Sequence, residues 1–241
     1  MLTWEILRRA PAGGTWALAR DRQAGEGLRQ QAEGLPEIER PIVLVGDPDE
    51  LRDLLSLRGE GDLRFDAVVG RNALGPLPDK DATFHHLHEL LKPGGMLSLA
   101  ETVVRQAQRL YDLVDLAALG GDLSLRVREA EEKIYAAPDA PLVNWLPADL
   151  QMAVEMAGFE QVGMGEQIQE ADVLVSPGTI DQWFAADADR KRPSYAQHLL
   201  REIAPEELAQ VRTLYERELA GQTVRWQTRI AFVVGQRATG S

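Results

Sequence analysis

The 241-residue sequence predicts an α/β fold on a largely parallel sheet, and three observations carry that expectation. Short β-rich runs alternate with helical patterns through the first half of the chain, the habit of a sheet covered by helices on both faces. One run, Pro41-Ile42-Val43-Leu44-Val45, is unbroken and apolar, as in strands buried on both faces. A last apolar run, Arg229-Ile230-Ala231-Phe232-Val233-Val234, follows a long helical stretch and is expected to return to the same sheet.

Leu2 to Arg9 reads as a helix with Arg8 and Arg9 at its carbonyl end, stopped by Pro11 and Gly13-Gly14. Thr15 to Ala19 is the first strand, Gln23 to Glu33 a polar helix with Leu28 and Ala32 on one face, and Pro41 to Val45 the second strand, ending in Gly46-Asp47-Pro48. Asp49 to Leu57 is a short helix and Phe65 to Gly70 the third strand. Asp79 or Asp81 caps a helix in which Phe84, Leu87 and Leu91 recur at three- and four-residue spacing. Lys92-Pro93-Gly94-Gly95 closes it: the lysine sets a cation at the helix carbonyl end, proline cannot extend the helix, and glycine permits a left-handed turn. Met96 to Ala100 is the fourth strand, ending in Glu101.

Two helices are expected next, about Arg105 to Leu119 and Leu123 to Ala136, then a proline-marked loop, Pro138 to Pro147, and a helix from Ala148 to Ala157 that breaks at Gly158. A mostly polar strand ends at Ala171-Asp172-Val173-Leu174-Val175. Helices near Thr179 to Phe184, Ser194 to Ile203 and Pro205 to Leu219 precede the last strand. This gives six strands in a single domain over residues 1–241, with helical insertions at about 102–146 and 177–226.

Composition narrows the function. With 44% hydrophobic and 27% charged residues the chain is globular, and without cysteine it has no disulfide, thiolate zinc site, iron–sulfur cluster or cysteine nucleophile. A net charge of −12 opposes broad binding to nucleic acid or anionic membrane. No apolar stretch approaches the roughly 20 residues of a membrane span, and the amino end lacks a signal-peptide pattern, so a cytoplasmic location is expected.

Phe65-Asp66-Ala67-Val68-Val69, the following helix, Leu91-Lys92-Pro93-Gly94-Gly95-Met96-Leu97-Ser98-Leu99 and Ala157-Gly158-Phe159 together resemble the second half of class I S-adenosylmethionine-dependent methyltransferases. The resemblance covers roughly residues 15 to 175 plus the last strand and implies a Rossmann-like methyltransferase sheet. It implies S-adenosylmethionine as cofactor, with Asp47 matching the acid that contacts the adenine and Asp21, more loosely, the ribose-binding acid. Arg71 and Asn72 lie just past a strand's carboxyl end, the edge where open α/β sheets bind ligands. A helix N-cap is the competing role for Asp47. The family opens with a strand, a Gly-rich loop and a helix, and against that pattern the first strand and the loop are missing: the sequence begins inside what would be the helix. A rival register that makes Gly25-Glu26-Gly27 the loop loses the third strand between Asp47 and Phe65.

A second resemblance rests on the Trp-containing first helix, Arg40-Pro41-Ile42-Val43-Leu44-Val45-Gly46-Asp47, Asn144-Trp145 and Arg192-Pro193-Ser194-Tyr195. Together these look like the extra carboxyl-terminal domain fused to replication-associated recombination protein A, an AAA+ ATPase of bacterial DNA maintenance. That resemblance implies an upstream ATPase domain as partner, since no Walker motif occurs in this sequence.

Other clusters have blander alternatives. His85 and His88 share a helix face, which suits a metal less than a solvated polar face. Glu101 is read as a general base, a group for a substrate amine, or a solvent-exposed helix cap. Arg190-Lys191-Arg192, flanked by Trp183, Phe184 and Tyr195, is the one local patch that could grip phosphate, against a solvated turn balanced by Asp187 and Asp189. Tyr111, Tyr135 and Trp145 lie in the stretch that roofs the substrate pocket in similar methyltransferases, with core packing the alternative. Two functions follow: methyl transfer from S-adenosylmethionine to an unnamed acceptor, or a degenerate, non-catalytic module that binds or tunes an AAA+ recombination ATPase. No residue stands out as the catalytic group.

Overall fold

A computed structural model describes residues 2–10, 13–186 and 193–240. In chain order its elements are α1 (Leu2–Arg9), β1 (Trp16–Ala19), α2 (Arg22–Ala32), β2 (Ile42–Val45), α3 (Leu51–Leu57), β3 (Phe65–Arg71), α4 (Lys80–Leu90) and β4 (Leu91–Thr102). Then come α5 (Gly121–Tyr135), α6 (Pro147–Met156), β5 (Phe159–Leu174), α7 (Pro177–Trp183), α8 (Tyr195–Leu199), α9 (Pro205–Leu219) and β6 (Thr223–Arg237). The chain divides into two compact units, the first formed by Met1–Glu101, Pro147–Gly165 and Ala231–Ser241, the second by Thr102–Leu146 and Glu166–Ile230. Among the described residues no helix is long and apolar enough to cross a membrane. The basic run Arg190-Lys191-Arg192 lies outside the described residues.

Local chemistry sets the helix ends of the first unit. Asp21 caps α2 by accepting from the Ala24 amide at 2.8 Å, and Asp79 caps α4 by accepting from the Ala82 amide at 2.8 Å. Each helix then returns the chain to a parallel strand: β1 pairs with β2 from Trp16↔Ile42 to Ala19↔Val45, and β3 with β4 from Ala67↔Met96 to Arg71↔Ala100. The strands form two hydrogen-bonded groups, β1-β2 and β3-β4-β6-β5, rather than the single sheet expected. β6 runs against β4, because Gln236 reaches Gly94 while the Val103 amide meets the Arg229 carbonyl.

Burial corrects the expectation of a sheet covered on both faces. Phe84, Leu87 and Leu90 of α4, and Leu150 and Val154 of α6, are buried together with the alternate residues Leu97, Leu99, Ala231 and Val233 of β4 and β6. The intervening positions are open: Val69 is 38% exposed, Met96 43%, Phe232 39% and Val234 37%. The described helices of this unit leave that strip uncovered, so the apolar runs of β3, β4 and β6 are not buried on both sides, whereas no residue of Pro41–Val45 is exposed.

The Leu-Lys-Pro-Gly-Gly segment is also placed differently from expectation. Lys92 lies in β4, not at a helix end, and its Nζ is 2.9 Å from both carboxylate oxygens of Asp66. The cation on the last carbonyls of α4 is Arg237, whose Nη1 donates to the carbonyls of His88, Glu89 and Leu91 at 3.2, 3.1 and 2.6 Å. Gly94 turns with φ +78°, and a Cβ on Gly95 would stand 2.9 Å from the Lys92 carbonyl. Gly158, at φ +91°, gives the Ala157-Gly158-Phe159 turn its left-handed residue beside the His88 ring.

In the second unit Val127, Ile180, Leu199, Val211, Leu214 and Tyr215 belong to one buried cluster. The helix expected over residues 105–119 is instead three short 3-10 turns, Val104–Gln106, Leu110–Leu113 and Leu116–Leu119.

Candidate functional site

The residues that the methyltransferase resemblance and the sheet-edge argument single out lie at the carboxyl ends of β1, β2 and β3. Asp21 follows β1, Asp47 follows β2, and Arg71 and Asn72 close and follow β3. Asp47 and the Asn72 backbone are linked by Arg20, noticed in the sequence only as the residue before Asp21. Its Nε stands 3.4 Å from Asp47 Oδ1, and its Nη2 donates to the carbonyls of Asn72 and Ala73 at 3.3 and 3.0 Å. Both partners of the ion pair are nearly half exposed, so its role is positional more than stabilising.

Each candidate has a defined local task. Asp21 caps α2. Asp47 stands at the amino end of the 3-10 turn Pro48–Glu50, where its amide donates to Glu50 Oε2 at 2.8 Å while its carboxylate faces Arg20. Asn72 takes a left-handed conformation at φ +51° and donates its amide to the Ala100 carbonyl at 2.9 Å. Arg71 is exposed.

Glu101 is the group that sequence reasoning misplaced. It is neither a solvent-exposed cap nor open to a substrate: it is 1% exposed. Its carboxylate accepts from the amides of Ala73, Leu74 and Gly75 at 2.8 to 3.3 Å. Burial raises its pKa above the ordinary carboxylate value, opposed by those three amides and by Arg20. Lys80 lies in its field, and burial lowers the lysine while Glu101 raises it. The loop after β3 therefore already holds an anion, a side chain of the protein itself.

Each of these groups already has a partner within the protein. Asp21 spends an oxygen on a helix cap, Asp47 is joined to Arg20, and the amides of residues 73–75 point at Glu101. Gly25 and Gly27, the rival glycine loop, lie inside α2, where Gly25 permits close approach to Val45. The histidines separate: His85 Nδ1 lies 2.9 Å from the Asp81 carbonyl at the surface, while the His88 ring packs edge-on against Phe159 at 4.9 Å. Among the described residues no three of His, Asp and Glu are grouped to hold a metal.

The aromatic residues flanking the basic run pack inward. Trp183 stacks with Trp226 at 6.4 Å, and Phe184 meets Tyr195 and Tyr215 edge-on. Two cavities lie in the second unit, about 140 Å³ beside Arg109, Gln227 and Arg229 and about 530 Å³ beside Asp115, Ser124 and Arg128. Neither is lined by a residue assigned to a cofactor.

No family model matches the chain, and no curated protein matches it. Solved structures do. A methyltransferase candidate from Bacillus halodurans is 14% identical at a TM-score of 0.49, over 97% of this chain and 87% of that one. YcgJ of Bacillus subtilis is 14% identical at 0.45, over 92% and 82%. Phosphoethanolamine N-methyltransferase 2 of Haemonchus contortus, solved with S-adenosyl-L-methionine, is 12% identical at 0.43, over 98% of this chain and 52% of its own. The strand order stands without them: two parallel pairs, each closed by a helix, with the last strand inserted between β4 and β5, make this chain an α/β protein with a Rossmann-like succession of elements.

Proposed function

We propose that the chain is a methyltransferase-like domain that works as a non-catalytic binding module, with the AAA+ recombination ATPase named by the second resemblance as its partner. One observation carries the reading: Arg20 ties Asp47 to the loop after β3, so the acid and the loop that would receive an adenosine are bonded to each other. The buried Glu101 supports it, because it takes up the amides nearest that edge.

Methyl transfer from S-adenosylmethionine is the second reading. It is favoured by the position of Asp21, Asp47, Arg71 and Asn72 at the carboxyl ends of β1, β2 and β3, the edge where open α/β sheets bind ligands. That reading leaves the methyl acceptor open. Calorimetric titration with S-adenosylmethionine and S-adenosylhomocysteine separates them. The module reading expects no heat and no melting shift at millimolar ligand, whereas micromolar binding that is lost in Asp47→Ala overturns it in favour of the enzyme.

A further inference from the structure

The second unit holds a buried carboxylate that neither reading uses. Glu131, in the last half of α5, is fully buried. Its Oε1 accepts from the Leu110 amide at 2.5 Å, and its Oε2 accepts from the Tyr111 amide at 3.2 Å and the Tyr195 hydroxyl at 2.9 Å. The Tyr195 hydroxyl also lies 3.1 Å from that of Tyr215. Beside it Glu132 receives the Tyr111 hydroxyl at 2.6 Å and the guanidinium of Arg109, which stacks over the Tyr135 ring at 3.8 Å. All four tyrosines of the chain thus gather around two adjacent carboxylates. Glu131 fastens the 3-10 turn Leu110–Leu113 to α5, α8 and α9, and does so with a charge taken out of water.

We propose that Glu131 is a proton-operated clasp: the turn Leu110–Leu113 is held more tightly when the carboxyl is protonated and opens more readily when it is ionised. The direction follows from linkage. In the closed unit burial raises Glu131 from 4.5 to about 6, against the lowering effect of the Leu110 amide, the Tyr195 hydroxyl, the Tyr111 amide and Arg109. Opening exposes the carboxyl to water and returns it to the ordinary value. The closed form therefore binds the proton first, so closure is favoured as pH falls and weakened as pH rises through about 6. Between pH 5 and pH 7.5 those two values correspond to about an eightfold rise in the opening equilibrium.

The titratable and charged groups that face Glu131 and its partners are Arg109, Tyr111 and Asp112 from the turn and its start, Arg128, Glu132 and Tyr135 from α5, Tyr195 from α8, and Tyr215 from α9. Tyr111 and Tyr135 are each pushed up to about 12, and burial pushes Tyr195 and Tyr215 up as well, so the tyrosines stay protonated across this range. Arg109 stays charged and holds Glu132 below the usual carboxylate range. Burial lowers His198, also in α8, below the ordinary imidazole value.

Native-state amide exchange at Leu110 and Tyr111, with each rate divided by its intrinsic value, tests the clasp. The wild type should show the eightfold change between pH 5 and pH 7.5, and Glu131→Gln should show none. A wild-type equilibrium equal at both pH values overturns the proposal, and so does a Glu131→Gln variant that keeps the full dependence, which would assign it to another group. A carboxyl-carbon NMR titration of wild-type Glu131 needs no variant: a midpoint near 6 supports the clasp, and one at or below 4.5 overturns it. Tyr195→Phe removes a donor that favours the ionised form and should move that midpoint upward.

Discussion

Arg237 completes a helix that ends far earlier in the sequence: the carbonyl of His88, 149 positions away, is one of three it satisfies at the end of α4. Helix-end carbonyls have no partner inside the helix, and a cation there meets both their hydrogen-bonding need and the negative end of the dipole. Arg237→Ala should cost about 1–2 kcal/mol in urea unfolding, with Arg237→Lys recovering part of the loss. Glu101 makes the converse contribution, an anion for three amides. Glu101→Ala strands those donors in a buried site and should cost about 2–4 kcal/mol, more than Glu101→Gln. Because the folded state raises the pKa of Glu101, it holds this proton more readily than the unfolded chain does. The stability from that group is fully present below the unfolded value of 4.5 and declines as pH rises through the folded one. The Glu101→Gln variant should lose this slope in acid unfolding curves. Neither role is legible in sequence: Lys92 looks like the cation for the helix end, and only the fold shows that it pairs with Asp66 while Arg237 arrives from β6.

Elements were legible where their signals are local. Asp79 marks a helix start, Gly94 and Gly158 mark turns, and alternation marks strands, all set by neighbours within a few residues, whereas the cap role of Asp21 was not read from sequence. The stretch 105–119 failed because its competitors are distant. A continuous helix would spend the amides of Leu110 and Tyr111 on carbonyls four residues back, but Glu131 takes both, and Glu218 takes the amide of Asp115. Two glycines test how tightly elements are set. A Cβ on Gly95 would meet the Lys92 and Phe65 carbonyls at 2.9 and 3.1 Å, backbone atoms that must shift, so Gly95→Ala should destabilise by about 1–3 kcal/mol. Gly27 lies within α2 with nothing within 4 Å of an added Cβ, and Gly27→Ala should raise stability by up to about 1 kcal/mol. Thermal unfolding of the two variants should move in opposite directions.

At the scale of the whole chain, six strands are found where six were expected among the described residues, yet their grouping was beyond sequence reading, because pairing is decided between segments far apart. Within the first unit the β1-β2 group meets β3 through side chains. Trp16 and Phe65 contact edge-on at 6.1 Å near the strand starts, and Arg20 reaches the Asn72 and Ala73 carbonyls past the strand ends. Side-chain contacts across a seam hold less tightly than a hydrogen-bonded ladder, so β1 and β2 should open together at lower free energy than β3 and β4. The amide of Gly46, bonded to the Ala19 carbonyl at 2.9 Å, reports on the first group, and that of Asn72, bonded to the Ala100 carbonyl at 2.9 Å, on the second. Arg20 is nearly half exposed, so its removal should be worth about 1 kcal/mol and speed exchange at Gly46 about fivefold. An Arg20→Ala protein in which Gly46 and Asn72 accelerate equally would show that the seam opens only with the whole unit. Selective acceleration at Gly46 would identify Arg20 as the strap across it, and would free Asp47 at the edge where the second functional reading needs an acceptor.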